Sequence, residues 1–150
     1  MDRFRIDIAM TRRPPSTDDV ARVAAFRAAL RQFLRRSERI ARQSGLTPQR
    51  HLLLLMIKGA PAGSEQSTVT ELAERLQLAQ STVTELVRRA EEAGLLEREQ
   101  SAADGRVAYL RLTAEGERRL LRSFTDHETE RKQLREAFEQ LEGLVEETRA

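Results

Sequence analysis

The sequence of 150 residues contains no cysteine and no tryptophan, and aromatic residues make up only 4% of it. The lack of cysteine excludes disulfide bonds, zinc sites built from thiolates and redox sensing by a thiol. The longest apolar run, Leu52 to Ile57, falls well short of the roughly 20 residues that span a bilayer, and the N-terminus lacks the apolar core of a signal peptide. These absences predict a cytoplasmic protein that does not enter a membrane.

The composition is 39% apolar and 33% charged, which favours one core surrounded by helices with charged surfaces. The formal net charge is only +2, and the stretch from Gln80 to Arg111 carries five arginines against six acidic residues. Total charge therefore neither favours nor excludes nucleic acid as a partner, because a local basic surface can bind phosphates on a nearly neutral protein.

Residues 1–15 alternate apolar and polar side chains before Pro14 and Pro15 interrupt regular structure. This pattern predicts an extended N-terminal arm that packs on a neighbouring subunit, and a disordered end is the alternative. Ser16 or Thr17 then caps a long helix that ends at Gly45. Thr47 and Pro48 open a second helix that continues through the leucine run to about Lys58.

The hexapeptide Ser-Thr-Val-Thr-Glu-Leu occurs at Ser67–Leu72 and again at Ser81–Leu86. In the first copy we expect a brief strand at Val69 and a helix capped by Thr70; the second copy lies in the opening turns of the next helix. Two short apolar runs, Leu95 to Glu99 and Val107 to Leu112, can pair around the charged tip Ser101–Arg106. Helix, turn, helix and a strand pair with a protruding loop predict a winged helix-turn-helix, a structure suited to duplex DNA.

Thr113 caps a last helical segment, which carries an apolar stripe and is expected to bend near His127. The predicted fold is mainly α with a small β-wing. We divide the chain into an N-terminal arm (1–15), an N-terminal dimerisation helix (16–46), a winged helix-turn-helix domain (47–112) and a C-terminal dimerisation region (113–150). The apolar stripes of the terminal helices are expected to be buried against each other or against a second copy of the chain.

The second helix of the motif has an apolar face and a polar face. Val83, Leu86, Val87 and Ala90 would hold the helix against the domain, whereas the opposite face carries Gln80, Ser81, Thr84, Glu85 and Arg88. Polar side chains near a helix N-terminus suit the major groove, where Gln80 can bond adenine, Glu85 can accept from cytosine and Arg88 can reach guanine or phosphate. An ordinary solvated helix face is the alternative.

The predicted wing carries Asp104 and Arg106 at its tip. An arginine on a loop tip suits the narrow minor groove, and Asp104 can brace that guanidinium or cap the loop backbone. Asp104 followed by Gly105 is also an ordinary turn sequence, so a turn without DNA contact remains the alternative for Arg106.

Catalysis is not predicted, because the sequence has no phosphate-binding glycine loop and no nucleophile motif, and its two histidines lie far apart. His51 is a candidate contact for a small ligand, with a partly buried structural histidine as the alternative. His127 and Glu130 have the spacing of a metal pair, but a solvated helix face explains them better, so no metal and no cofactor are expected.

Several segments together resemble the MarR family of transcriptional regulators. The matching segments are Thr70–Leu76, Ser81–Arg89, Glu92–Arg98, Asp104–Arg106 and Leu110–Gly116, and the likeness covers roughly Thr47 to Leu121. The resemblance implies a homodimer with intertwined terminal helices, two winged domains on a pseudo-palindrome and, in many members, a small ligand between them and the dimer core. It places Ser81, Thr82, Thr84 and Arg88 on the recognition helix and Arg106 on the wing; Glu85 stands where many relatives have a basic or neutral residue.

The sequence therefore predicts a homodimeric, sequence-specific DNA-binding protein that regulates transcription, as a repressor or less often as an activator. A small aromatic or phenolic molecule is the expected effector, and a DNA-binding regulator without a ligand is a further alternative. A winged-helix module that binds other proteins and has no operator of its own is the alternative. The nearly neutral charge of the wing region favours that alternative.

Overall fold

The structure is a computed structural model that describes residues 14–147, with side chains for residues 14–142. The N-terminal arm predicted for residues 1–15 therefore lies almost wholly outside the described residues. Six α-helices and two strands occur within that range: α1 (Thr17–Gln43), α2 (Pro48–Lys58), α3 (Val69–Leu76), α4 (Gln80–Glu92), β1 (Leu96–Gln100), β2 (Ala108–Leu112), α5 (Ala114–Asp126) and α6 (Glu128–Glu147). The predicted mainly helical fold with a small β-wing is confirmed.

The starts of the first two helices follow from side-chain caps. The Ser16 hydroxyl accepts the backbone N–H of Asp19 at 3.1 Å, and the Asp19 carboxylate accepts the backbone N–H of Ser16. Thr47 caps α2 by accepting the N–H of Arg50, and Pro48 occupies the first turn, where no N–H is needed. Gly45 adopts φ 74° just beyond α1, as the sequence predicted.

The start of α3 differs from the sequence prediction. Thr68, not Thr70, is the N-cap: its hydroxyl accepts the N–H of Glu71 at 3.2 Å, and the Glu71 carboxylate accepts the N–H of Thr68 at 2.9 Å. The brief strand expected at Val69 is instead a bridge at Ser67, and Val69 is already helical. The reciprocal cap satisfies two amides at once, and this selects the earlier threonine.

The wing is an antiparallel pair in which Leu96 lies opposite Leu112 and Gln100 opposite Ala108. Ser67 adds one residue of a third strand, because Ser67 and Leu110 exchange backbone hydrogen bonds of 2.8 and 3.2 Å. The observed strands begin one residue later than the predicted ones. This small sheet joins the loop before α3 to the wing.

The chain forms two compact units, Leu34–Thr129 and the described parts of Met1–Phe33 and Glu130–Ala150. The core of Leu34–Thr129 is built from fully buried aliphatic side chains of every element in it except α6; they include Leu53, Leu54, Ile57, Leu72, Val83, Val87, Leu95, Leu110 and Leu120. This core rigidly supports α3, α4 and the wing. The predicted bend near His127 is confirmed, since α5 ends at Asp126 and α6 begins at Glu128.

In the other unit, Phe26 of α1 and Phe138 of α6 meet edge to face with ring centroids 6.1 Å apart. Beside them is an open apolar groove of about 320 Å³ that Leu30 and Leu134 also line. Among residues 14–147, no helix combines the length and the apolar character needed to cross a membrane.

Candidate nucleic-acid interface

The turn between α3 and α4 brings the two helices together within three residues. Gln77 ends α3 in the left-handed conformation, with φ 55°, and the N–H of Leu78 donates to the Ala73 carbonyl. The side chain of Gln80 donates to the Thr70 hydroxyl across the turn at 3.4 Å, a long hydrogen bond. The geometry is that of a helix-turn-helix, with α4 in the position of the second helix.

The two faces of α4 are those that the sequence predicted. Val83, Leu86, Val87 and Ala90 are buried in the core. Gln80, Ser81, Thr82, Thr84 and Arg88 are exposed, and Glu85 is half-buried. The predicted recognition residues therefore lie together on one solvent-facing surface of a single, well-supported helix.

The N-terminus of α4 is left open. Its N-cap residue is Ala79, which supplies no side-chain acceptor, so the first amides of the helix have no capping side chain. Thr84 donates its hydroxyl back to the carbonyl of Gln80 at 2.8 Å and so does not cap them either. Uncapped amides at the positive end of a helix dipole can donate hydrogen bonds to a phosphate oxygen.

Farther along α4, a network of four charged residues was not anticipated. Glu85 accepts two hydrogen bonds from Arg88, of 2.7 and 2.8 Å, and one from Arg89 of 2.8 Å, while Arg88 also pairs with Glu92. The bonds from Arg88 and then Arg89 lower the pKa of the Glu85 carboxyl from 4.5 to about 2, and the Glu85 bond raises the pKa of Arg88. Two carboxylates thus neutralise two guanidiniums on the helix itself.

The sequence contained the signal for this network, since the four residues stand three and four positions apart. The consequence for recognition is direct: Arg88 is held by its own helix. To reach guanine or phosphate, it must exchange Glu85 or Glu92 for the new partner.

The wing tip is braced through its backbone. The Ser101 hydroxyl accepts the N–H groups of Ala103 and Asp104, each at 3.3 Å, and the Asp104 carboxylate accepts the N–H of Arg106 at 3.0 Å. Of the two roles suggested for Asp104, the structure contains the backbone cap. The exposed Arg106 side chain makes no hydrogen bond or ion pair with residues 14–142, so its charge is available at the tip.

The other arginines of the wing are paired. Arg98 on β1 bonds to Glu91 on α4 at 2.7 Å, and Arg111 on β2 lies 3.6 Å from Glu99 on β1. Arg106 is therefore the unpaired cation of the wing strands and their connecting loop. The structure therefore separates Arg106 from Arg98 and Arg111 as a candidate DNA contact, which the sequence alone did not do.

The ring of His51 on α2 stacks on that of His127, with centroids 5.2 Å apart. His127 is 4% exposed, and its Nδ1 is 2.5 Å from the Ser123 carbonyl oxygen. Burial, and then repulsion from His127, lowers the pKa of His51 from 6.5 to about 4. No sequence signal links these histidines, because they are 76 positions apart.

Comparison with known proteins gives a consistent result. A family model described as the MarR family matches residues 44–107. AbsC, a MarR family transcriptional regulator from Streptomyces coelicolor, superimposes with a TM-score of 0.65 at 20% identity, covering 89% of each chain. None of the curated protein sequences matches this chain significantly.

Several of the similar structures contain DNA. Sco3205, a MarR family transcriptional regulator from Streptomyces coelicolor in complex with DNA, has a TM-score of 0.63 at 23% identity, covering 93% of this chain and 88% of its own. The M. tuberculosis transcriptional regulator MosR in complex with DNA has a TM-score of 0.52 at 28% identity, covering 74% of each chain.

Proposed function

We propose that this chain, whose residues 44–107 match the MarR family model, binds duplex DNA sequence-specifically and regulates transcription. The observation that carries the proposal is the combination of an open, polar N-terminal half of α4 with a braced wing that presents the unpaired Arg106. Similar structures with bound DNA support the same partner.

In the proposed complex, the first turns of α4 enter the major groove. Amides at its N-terminus meet a phosphate, and Gln80, Ser81, Thr82 and Thr84 lie closest to base edges. Arg106 enters the neighbouring minor groove, where negative potential is enhanced. Glu85 contributes in two ways: it can accept from cytosine N4, and it keeps Arg88 from binding phosphates indiscriminately.

We propose further that the active form is a homodimer on a pseudo-palindromic operator. The terminal helices expose apolar side chains that water would not favour, with Val20 59%, Val23 44% and Phe138 47% exposed. A second copy covering these side chains would place two copies of α4 in successive major grooves, roughly 34 Å apart.

The regulatory outcome we propose is repression that a small aromatic or phenolic effector relieves. Such a ligand would favour a spacing of the two recognition helices that does not match the grooves, to the extent that its affinity differs between the two spacings. His51 is the candidate contact, since its half-buried ring is neutral near pH 7 and can donate or accept a hydrogen bond.

The second candidate function is a winged-helix module that binds protein and has no operator. The neutralised network of Glu85, Arg88, Arg89 and Glu92 favours it, because these groups cancel the charge of the α4 surface. The two functions differ in salt dependence, which is steep for DNA binding and weak for a protein partner of this neutral surface.

The test combines selection and substitution. Duplexes bound by the purified protein are selected from a random pool, and their affinity is measured for the wild type and for Arg106→Ala at several salt concentrations. We expect one enriched motif, and for Arg106→Ala a loss of about tenfold with a salt slope smaller by about 1. Arg118→Ala, which removes an exposed arginine of α5, is the control and should retain both values. No enriched motif, or equal behaviour of Arg106→Ala and wild type, rejects the proposal.

A further inference from the structure

Three arginines in the last three turns of α1 face the same side of the helix. Arg35, Arg39 and Arg42 are spaced by four and then three residues, which aligns them in a stripe. All three side chains are exposed, and none forms an ion pair or hydrogen bond with residues 14–142. We call these three residues the arginine stripe.

The free state of the stripe contrasts with the pairing of arginines elsewhere in the same compact unit. Six arginines of α4, the wing and α5 are held by glutamates: Arg88, Arg89, Arg98, Arg111, Arg118 and Arg119. Between Leu34 and Gln43 there are four arginines and one glutamate, which leaves a net charge of +3. That glutamate, Glu38, is exposed and makes no ion pair with the stripe. No carboxylate among the described side chains of residues 14–142 therefore pairs with the charge of the stripe.

We propose that the arginine stripe is a second nucleic-acid surface, which binds the phosphate backbone of duplex DNA outside the contacts of α4 and the wing. The inference rests on the proposed function for its choice of partner. Four residues of α-helix rise about 6 Å, so the stripe presents guanidiniums at regular intervals over roughly 10 Å. A row of phosphates has a similarly regular charge, and each guanidinium can bind a phosphate through two parallel hydrogen bonds.

A lipid surface fits this part of α1 less well. A helix that lies on a membrane needs an exposed apolar face beside its basic one. Here Ala41 is fully buried in the core and Ile40 is half-buried, so the side of α1 that they occupy is already used for packing. Leu34 is 52% exposed beside the stripe, but one leucine does not form an apolar face. Phosphate recognition without apolar insertion is the chemistry that remains.

The experiment measures how the affinity for a random-sequence duplex depends on salt, which reports phosphate contacts and needs no operator. The variant is Arg35→Gln, Arg39→Gln and Arg42→Gln together. The control is Arg118→Gln, Arg122→Gln and Lys132→Gln, which removes the same three charges from exposed positions of α5 and α6. Melting temperatures establish that both variants are folded.

We expect the slope of log affinity against log salt to fall by about 0.9 for each stripe arginine that contacts a phosphate, so by roughly 2 to 3 in the triple variant. The control should keep the wild-type slope. Equal slopes for wild type and triple variant, or equal losses in variant and control, overturn the inference. A wild type that binds no random duplex also overturns the inference. So does a triple variant that loses affinity only for single-stranded RNA, because that result would assign the stripe to RNA.

These results are distinct from a failure of the proposed function. That failure would appear as the absence of any preferred sequence in the selection, or as an unchanged affinity of Arg106→Ala. A protein without an operator can still lose random-duplex affinity when the stripe is removed. A protein with an operator can equally prove indifferent to the stripe.

Discussion

At the scale of single residues, Gly116 has the strictest requirement for its identity. It lies in the first turn of α5, where a Cβ would come within 2.2 Å of the Leu95 carbonyl oxygen. The same carbonyl accepts the N–H of Thr113 at 3.0 Å, and the Thr113 hydroxyl donates to the Gly94 carbonyl at 2.6 Å. The close approach lets α5 begin directly against the start of the wing.

Gly116→Ala should therefore destabilise the protein by about 2 to 3 kcal/mol, because the methyl group forces the backbone of α5 away from Leu95. Urea unfolding measures the change. Gly105→Ala is the matched control: no atom lies within 4 Å of its added Cβ, and its φ is not positive, so stability should change by less than about 0.5 kcal/mol. Similar losses for both variants would contradict the close-approach argument.

His51 should make stability fall in mild acid. In the unfolded chain its pKa is 6.5, whereas in the folded protein burial and then repulsion from His127 lower the pKa to about 4. Between these values the unfolded state binds more protons than the folded state, so the free energy of unfolding decreases as the pH falls from 6.5 to 4. Above pH 6.5 His51 is neutral in both states, so it no longer lowers the free energy of unfolding.

His51→Gln removes this titration, and its free energy of unfolding should depend less on pH between 6.5 and 4 than that of the wild type. Urea unfolding of both proteins at several pH values gives the difference directly, and the carboxylates common to both cancel. Parallel pH profiles would show that His51 titrates at its ordinary pKa in the folded protein.

At the scale of elements, α4 and α5 contain the same ionic arrangement in different settings. In both, one glutamate binds the arginines three and four residues later: Glu85 on α4 with Arg88 and Arg89, and Glu115 on α5 with Arg118 and Arg119. These exposed pairs add little to stability. Their difference is one of location, because only the α4 pair lies on the proposed DNA-binding face.

Glu85→Gln should consequently increase affinity for random DNA and steepen its salt dependence by about 1, because Arg89 becomes free to bind a phosphate while Arg88 keeps Glu92 as its partner. Discrimination between the selected motif and random duplex should decrease. Fluorescence anisotropy with both duplexes measures the two effects. Glu115→Gln removes the equivalent carboxylate from α5, away from α4, and should leave the affinity and the discrimination unchanged. An equal gain in affinity in the two variants would mean that net charge alone determines the affinity.

At the scale of the whole molecule, the exposed apolar residues of the terminal helices predict self-association. Val20→Glu places a charge in a surface that we propose a second copy covers. The dimer dissociation constant should rise by at least about tenfold, since each protomer loses the burial of a valine. Analytical ultracentrifugation measures it, and Ala25→Glu, at an exposed position on another side of α1, is the control. A wild type that is monomeric at micromolar concentration, or a dimer unaffected by Val20→Glu, would contradict the proposed dimer interface.

The sequence by itself determined the elements and the faces of α4. The signals that predicted them are local, because each depends on neighbours within about one turn of helix. They are the caps at Thr47 and Thr113, the turn before Gln80 and the periodicity of the buried residues of α4. The winged helix-turn-helix was predictable for the same reason. The prediction that Thr70 caps α3 was wrong for a local reason as well. Thr68 and Thr70 could both serve as the N-cap, and the reciprocal hydrogen bond with Glu71 selects Thr68.

The tertiary structure alone decided which charges are free and which distant groups meet. Nothing local indicates that His51 stacks on His127, that Ser67 pairs with Leu110, or that Gly116 touches Leu95. These contacts join segments far apart in the chain, and they depend on how the whole core packs. Only the tertiary structure shows that Arg106 is unpaired, because this depends on the positions of all the described carboxylates around it, and none of them contacts its guanidinium.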